Sequence, residues 1–141
     1  MTGQRTIAAM KRIVFDAHAI LKWAQQEPGA DKVKAVLEAC REGSATGLIN
    51  RINLGEVYYQ CIRAVGMEKA RDFLENFERL PISLVLPDAD LIWRAAEIKA
   101  QFAISYAHCF AAATALRHEA AVLTGDPEFR LIAHLCPVSW L

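Results

Sequence analysis

Three carboxylic acids in this 141-residue chain lie far apart in sequence but in similar local surroundings. Asp16 ends the apolar run Arg-Ile-Val-Phe, Asp126 follows the apolar run Ala-Val-Leu-Thr-Gly, and Glu56 opens a helical pattern. Two carboxylates just past the ends of buried strands, with a third on a nearby helix, form a set of oxygen ligands for a divalent cation. The three acids therefore point to a divalent-metal site at one edge of the sheet.

Each acid taken alone also has a purely structural explanation. Asp16 has the position of an N-cap for a helix that begins at Ala17. Asn53 and Glu56 have the spacing of a capping box, and Asp126 belongs to a Thr-Gly-Asp-Pro sequence that is typical of turns. The metal hypothesis therefore depends on the combination of the acids and on the elements that carry them.

The apolar periodicity predicts strands that alternate with helices along the whole chain. The predicted strands are 13–15, 45–49, 82–86, 121–124 and 138–140, and the predicted helices are 17–26, 33–42, 53–65, 67–79, 88–102 and 105–117. This order predicts an α/β fold in which a central, mainly parallel sheet of four to five strands is covered by helices on both faces. Ligand sites in such sheets lie at the carboxyl ends of the strands, where Asp16 and Asp126 are both expected.

Length and composition limit the class of protein. With 141 residues, of which 54% are hydrophobic, the chain is expected to form one domain over residues 10–141, preceded by an extension at residues 1–9. The formal net charge of zero argues against broad, charge-driven binding of nucleic acid, but not against an enzyme that meets RNA at a small site.

The spacing of the cysteines and the hydropathy of the chain indicate the cellular compartment in which the protein is expected. The four cysteines lack any Cys-x-x-Cys spacing, which favours buried thiols in a reducing environment over a zinc site. No apolar run approaches the roughly 20 residues of a membrane helix. The first residues lack the apolar stretch of a signal peptide, so a cytoplasmic location is expected.

Four segments taken together resemble a PIN-domain ribonuclease, and more narrowly a VapC-type toxin of a VapBC toxin–antitoxin pair. The segments are residues 13–21, 52–59, 104–115 and 122–129, and the resemblance extends from residue 12 to about residue 138. It implies a three-layer α/β/α fold. It also implies cleavage of RNA phosphodiester bonds that depends on Mg²⁺ or Mn²⁺.

The resemblance assigns a role to five residues. Asp16 matches the first acid of the family and Glu56 the second, while Asp126 matches the acid of the closing Thr-Gly-Asp motif. Asp16, Glu56 and Asp126 are then expected to bind metal or to orient its water, with Thr124 as a supporting hydroxyl. The third acid of the family usually completes Ser-Tyr-Ala-Asp, and here that position carries His108, a doubtful metal ligand.

His108 removes one negative charge and one hard oxygen donor from the expected site. Imidazole suits Mn, Zn, Fe or Ni better than Mg. Its place in the first turn of a helix disfavours a cation, whereas three neighbouring carboxylates favour one, and the sequence does not rank these effects. We therefore expect a ribonuclease with impaired activity.

Three other hypotheses remain open for this chain. The first is a fully active enzyme that tolerates His108, with Mn²⁺ as its metal. The second is a non-catalytic PIN-like module that binds antitoxin or RNA. The third is an unrelated α/β protein, such as a receiver domain or a phosphatase with Asp16 as nucleophile. Against the phosphatase, His18 stands where a second acid is usual.

The resemblance also implies partners. It predicts a homodimer and a small VapB-type antitoxin, whose helical tail lies in a groove between helices and places a basic side chain in the acidic pocket. Tyr58 and Tyr59 are candidates for one wall of that groove, or for core packing. Trp23, Trp93 and Trp140 are expected to be core or interface aromatics.

Overall fold

The computed structural model of the protein describes residues 11–141. The predicted extension at residues 1–9, and residue 10 of the predicted domain, lie outside these residues. The strands are β1 (Lys11–Phe15), β2 (Ala45–Asn50), β3 (Ile82–Val85), β4 (Ala121–Thr124) and β5 (Val138–Trp140). The helices are α1 (Ala17–Ala24), α2 (Ala30–Glu42), α3 (Arg51–Val65), α4 (Met67–Phe77), α5 (Ala89–Gln101), α6 (Tyr106–His118) and a short 3-10 helix (Pro127–Ile132).

The described strands form one parallel sheet in the order β3-β2-β1-β4-β5. This confirms the predicted mainly parallel sheet. Because β1 and β4 are neighbours, their carboxyl ends lie side by side, and the backbone N–H of Asp16 donates to the carbonyl of Leu123 at 3.2 Å. The sheet therefore brings Asp16 next to the turn that follows β4 and carries Asp126.

Alternate residues of the central strands pack into two separate cores, one on each face of the sheet. The core that includes α5, α6 and the 3-10 helix receives Val14, Leu48 and Val122. The core that includes α1, α2, α3 and α4 receives Ile13, Phe15, Ile49 and Leu123. This confirms the predicted three-layer α/β/α arrangement. No helix within residues 11–141 is long and apolar enough to cross a membrane.

Helix α3 begins two residues before the predicted start, and this changes the interpretation of Glu56. Asn50 is the N-cap, because its side-chain oxygen accepts a hydrogen bond from the N–H of Ile52 at 2.9 Å. Asn53 lies inside the helix, and its amide donates to the carbonyl of Ala107 at 2.9 Å. The capping-box explanation of Glu56 is therefore wrong, and Glu56 lies in the second turn of α3 without a capping role.

Candidate active site

Asp16 is fully buried at the carboxyl end of β1. Its backbone occupies the N-cap position of α1, but its side chain makes no capping hydrogen bond, so the capping explanation is wrong for this carboxylate. Instead, Oδ1 lies 3.1 Å from Nδ1 of His108, and Oδ2 accepts a hydrogen bond from the hydroxyl of Thr124 at 3.0 Å. Both oxygens of Asp16 therefore have partners inside the candidate site.

His108 lies in the first turn of α6, where Ser105 caps the helix by accepting from the N–H of His108 at 3.3 Å. Its ring joins two acids, because Nδ1 lies 3.1 Å from Asp16 and Nε2 lies 2.9 Å from Oδ2 of Asp126. Ionised carboxylates only accept hydrogen bonds, so both ring nitrogens must donate and the ring is an imidazolium.

The charge state of His108 follows from the balance between its burial and its neighbours. Burial alone would lower the pKa of His108, but the hydrogen bonds and charges of Asp16 and Asp126 outweigh it and raise the pKa to about 9. At neutral pH the ring of His108 therefore carries a positive charge.

Asp126 combines a turn role with a place in the site. Its Oδ1 accepts from the N–H of Glu128 at 2.9 Å, while Oδ2 faces His108. Burial would raise the pKa of Asp126, but the hydrogen bonds from Glu128 and His108 hold it below its usual value. Thr124 accepts from the N–H of Asp126 at 3.1 Å and donates to Asp16, so its hydroxyl connects the two acids.

Glu56 faces the same cleft from α3 and is the least well-partnered acid of the group. Its Oε1 is buried and has no hydrogen-bond partner among the described residues. Burial raises the pKa of Glu56, and the charges of Asp16 and Asp126 raise it further, against the opposing effect of His108. The cleft has a volume of about 240 Å³, and its wall includes His18, Lys22, Glu56, His108 and Asp126.

Glu128 is a site residue that the sequence interpretation missed. Its Oε1 accepts from the N–H of Ser105 at 3.0 Å and lies 3.7 Å from Nε2 of His108. Within residues 11–141, one ligand atom each of His108, Asp126 and Glu128 lies within 4.8 Å of the others. The presence of Glu128 two residues after Asp126, in the sequence Thr-Gly-Asp-Pro-Glu, is the signal from which this second acid could have been found.

His18 is a second contact that the sequence did not predict. Its Nδ1 accepts a hydrogen bond from the N–H of Gly125 at 3.2 Å, so a ring from α1 holds the turn between Thr124 and Asp126. A Cβ atom on Gly125 would lie 2.9 Å from Cε1 of His18. The glycine of this turn is therefore required by the close approach of the histidine ring.

The oxygen atoms in this cleft suit a hard divalent cation such as Mg²⁺ or Mn²⁺. The buried, unpartnered Oε1 of Glu56 is an atom that such a cation would satisfy. His108 competes for the same ligands, since its ring already binds one oxygen of Asp16 and one of Asp126. The donor set therefore fits a divalent ion once His108 gives up these contacts.

Solved structures with the same fold include several bacterial toxins. VapBC2 from Rickettsia felis, bound to a DNA fragment, is 17% identical with a TM-score of 0.68, and the match covers 84% of this chain and 91% of that chain. The sarcin-ricin loop cleaving toxin VapC20 from Mycobacterium tuberculosis is 15% identical with a TM-score of 0.66 and coverage of 84% and 92%. A toxin–antitoxin complex from Klebsiella pneumoniae is 17% identical with a TM-score of 0.60 and coverage of 83% and 89%.

At these identities the likeness to solved structures concerns the fold. A search of curated proteins finds no significant match. The family follows from the sequence itself, because a PIN-domain family model matches residues 13–135, a range that includes Asp16, Glu56, His108 and Asp126. The chain therefore belongs to the PIN-domain family, as its four sequence segments predicted.

Proposed function

We propose that this protein is a metal-dependent endoribonuclease toxin of a toxin–antitoxin pair whose activity is impaired by His108. The observation that carries the proposal is that Glu56 and Asp126 line one cleft and that His108, which also lines it, joins Asp126 to the buried carboxylate of Asp16. The PIN-domain family match and the fold shared with a toxin that cleaves the sarcin-ricin loop support ribonuclease chemistry.

In this proposal Asp16, Glu56 and Asp126 hold Mg²⁺ or Mn²⁺. When bound, the ion lowers the pKa of water and stabilises the negative charge that develops on the phosphodiester. Thr124 positions the acids, since its hydroxyl binds Asp16 and accepts from the backbone of Asp126. Glu56, with one unpartnered oxygen, is free to bind the ion or to orient a water toward the phosphorus.

His108 reduces activity in two ways. Its positive charge repels a metal ion that binds at the neighbouring acids, because charges interact strongly over short distances in a partly buried site. Its two ring nitrogens also occupy oxygens of Asp16 and Asp126 that the cation would need. Binding of the ion therefore requires His108 to leave a buried ion pair, which weakens the affinity for metal.

The cleavage assay that tests this proposal compares the chain with His108 and the variant His108→Asp in Mg²⁺, in Mn²⁺ and in EDTA. We expect metal-dependent cleavage of RNA by His108→Asp and much weaker cleavage by the chain with His108. Asp16→Asn in the His108→Asp background is the matched inactive control. Equal cleavage by the chain with His108 and by His108→Asp would show that His108 does not impair the enzyme. Absence of cleavage and of metal binding in both would contradict the ribonuclease proposal.

A second candidate function is a non-catalytic module that binds antitoxin or RNA. The observation in its favour is that His108 already balances the buried charge of Asp16, so the folded site does not need a metal. This hypothesis predicts equal affinity for the ligand in EDTA and in Mg²⁺. Metal-dependent cleavage by the chain with His108 would exclude it.

For a partner, we propose a VapB-type antitoxin whose helical tail binds between α3 and α4. A cavity of about 290 Å³ lies there, lined by Leu54, Tyr58, Leu74 and Phe77 among others, and Tyr59 on the same helix is exposed. A solved toxin–antitoxin complex from Klebsiella pneumoniae shares the fold. Tyr58→Ala is expected to weaken the complex in a pull-down with the antitoxin, whereas Lys69→Ala on the exposed side of α4 is the control.

We also propose a homodimer, with cytoplasmic RNA as the substrate. Leu84 and Leu86, at and after the edge strand β3, and Trp93 on α5 are exposed apolar side chains that a second copy would cover. Sedimentation of the chain and of Trp93→Ser tests this proposal. A dimer that Trp93→Ser weakens supports it, and a monomer at all concentrations contradicts it.

A further inference from the structure

A second cavity adjoins the candidate active site on the turn that carries Asp126. It has a volume of about 460 Å³ and is lined by Gly125, Pro127, Arg130, Ala133, Trp140 and Leu141. Gly125 and Pro127 are the two chain neighbours of Asp126, which itself lines the cleft of the acids. The cavity and the cleft of the acids therefore meet at one turn of the chain, although no residue lines both.

Trp140 gives this cavity an aromatic wall. It is the last residue of the edge strand β5, pairs with Thr124 of β4, and is 38% exposed. Val138, two residues earlier, packs into the core that contains the 3-10 helix. Since alternate strand residues share a face, Trp140 lies on the face of the sheet that the 3-10 helix covers. Trp140 is therefore an accessible aromatic near the turn that carries Asp126, and of the predicted core or interface position only the interface alternative remains open for it.

Arg130 gives the same cavity a free positive charge. It is exposed on the 3-10 helix and makes no hydrogen bond or ion pair with any residue in the range 11–141. None of the residues that line the cavity is acidic. A guanidinium without a partner among the described residues and an accessible indole that line one cavity suit single-stranded nucleic acid, whose bases stack on aromatic side chains and whose phosphates bind arginine.

We propose that this cavity binds a nucleotide of single-stranded RNA next to the cleaved bond, with its base stacked on Trp140 and its phosphate at Arg130. The inference rests on the proposed ribonuclease function and specifies how the substrate is held. It also explains how a chain of zero net charge binds RNA, since a base-stacking site adjoining the acids replaces a broad basic surface.

The test is binding of a fluorescein-labelled, mixed-sequence single-stranded RNA dodecamer in EDTA, followed by fluorescence anisotropy. Stacking contributes about 1–3 kcal/mol per base, so Trp140→Ala should weaken binding roughly 5- to 150-fold. Trp140→Phe, which keeps an aromatic face, should retain most of the affinity. Arg130→Gln should weaken binding less and make it less sensitive to salt. Leu131→Ala, at an exposed apolar position outside the cavity, and Arg94→Gln, at an exposed position on α5, are the controls.

The outcomes separate this inference from the proposed function. Equal RNA affinity of Trp140→Ala and the unsubstituted chain overturns the cavity proposal. The proposed function then still stands if His108→Asp cleaves RNA. If Trp140→Ala loses antitoxin binding but keeps RNA binding, the cavity belongs to the protein partner and the inference is wrong. If the chain with His108 binds no RNA and His108→Asp cleaves none, the cavity proposal and the ribonuclease proposal are both wrong. Melting curves of each variant verify that the fold is kept.

Discussion

The imidazole of His108 lies 3.1 Å from the buried carboxylate of Asp16, 92 positions earlier in the chain. This contact places a cation inside the acidic site, at hydrogen-bond distance from Asp16. The acids are therefore held together by a side chain of the protein itself.

His108→Asp should make folding stability depend on metal. In EDTA the variant has a further carboxylate in place of the imidazolium of His108, so the buried ion pair with Asp16 is lost. Removing one partner of a buried ion pair costs about 3–5 kcal/mol. We expect a clearly lower melting temperature than that of the chain with His108, with recovery in Mg²⁺ as the ion binds the native state. His134→Asp, at an exposed position, is the control. Equal melting temperatures of His108→Asp and the chain with His108 in EDTA would contradict this prediction.

Stability of the chain with His108 should fall in alkaline solution. Burial opposes protonation of His108, but Asp16 and Asp126 raise its folded-state pKa to about 9, above the ordinary value of 6.5. The stabilisation is therefore complete below pH 6.5 and is lost as the pH rises through about 9, with a total on the order of 3 kcal/mol. Urea unfolding at pH 6 and pH 9.5 in EDTA measures it. His108→Gln should lack this pH-dependent stabilisation. An equal pH dependence of the unfolding free energy with and without His108 would disprove the assignment of the effect to His108.

The positions of the acids could be predicted from sequence because they depend on simple features. Short apolar runs indicated β1 and β4, and parallel strands place their carboxyl ends at one edge of the sheet. Asp16 and Asp126 follow those strands, so they meet there once β1 and β4 are neighbours. Glu56 was included because it opens a helical pattern, but no local pattern encodes its distance from the strand ends, and the family resemblance supported its place in the set.

Other features depend on contacts that the sequence does not show. Asn50 and Asn53 are both plausible caps from local sequence, and the choice is made by the tertiary contact of Asn53 with Ala107. The charge of His108 depends on two carboxylates that reach it from β1 and from the turn after β4. Local helix electrostatics alone would have favoured the neutral ring.

Asp16→Asn and Glu56→Gln should differ in stability although both remove a carboxylate. Asp16 is fully buried and balances the charge of His108, so Asp16→Asn should cost about 3 kcal/mol in EDTA. Glu56 has an unpartnered oxygen and a pKa raised by burial and by its acidic neighbours, so Glu56→Gln should change the unfolding free energy by less than about 0.5 kcal/mol. Chemical denaturation measures both values. Equal losses of unfolding free energy in the two variants would show that the contacts of Asp16 and Glu56 do not determine how much each acid contributes to stability.

In the His108→Asp background, the same two substitutions should both abolish metal-dependent cleavage, because each removes an oxygen donor. Glu56→Gln would then abolish cleavage without lowering stability, which is common for substitutions of active-site residues. RNA cleavage by the double variants, with His108→Asp alone as the reference, checks this expectation. Retention of cleavage by His108→Asp with Glu56→Gln would remove Glu56 from the proposed metal ligands.

Gly125→Ala and Gly55→Ala should have opposite effects. A Cβ on Gly125 would lie 2.9 Å from the His18 ring, so the ring must move and its hydrogen bond to the Gly125 N–H is lost. We expect a loss of about 1–3 kcal/mol. A Cβ on Gly55 in α3 meets nothing within 4 Å, so alanine should stabilise the helix by about 0.5–1 kcal/mol.

Comparing these two variants distinguishes a requirement for glycine in the turn from the general effect of replacing glycine with alanine. Because the Gly125 turn positions Asp126, Gly125→Ala should also lower metal-dependent cleavage in the His108→Asp background. Gly55→Ala should leave that cleavage unchanged, because the added Cβ would meet no atom within 4 Å and so would not displace the acids. His18→Ala combined with Gly125→Ala should recover part of the lost stability, since the clash is removed from the other side. A double variant no more stable than Gly125→Ala alone would mean that the ring of His18 is not what requires the glycine.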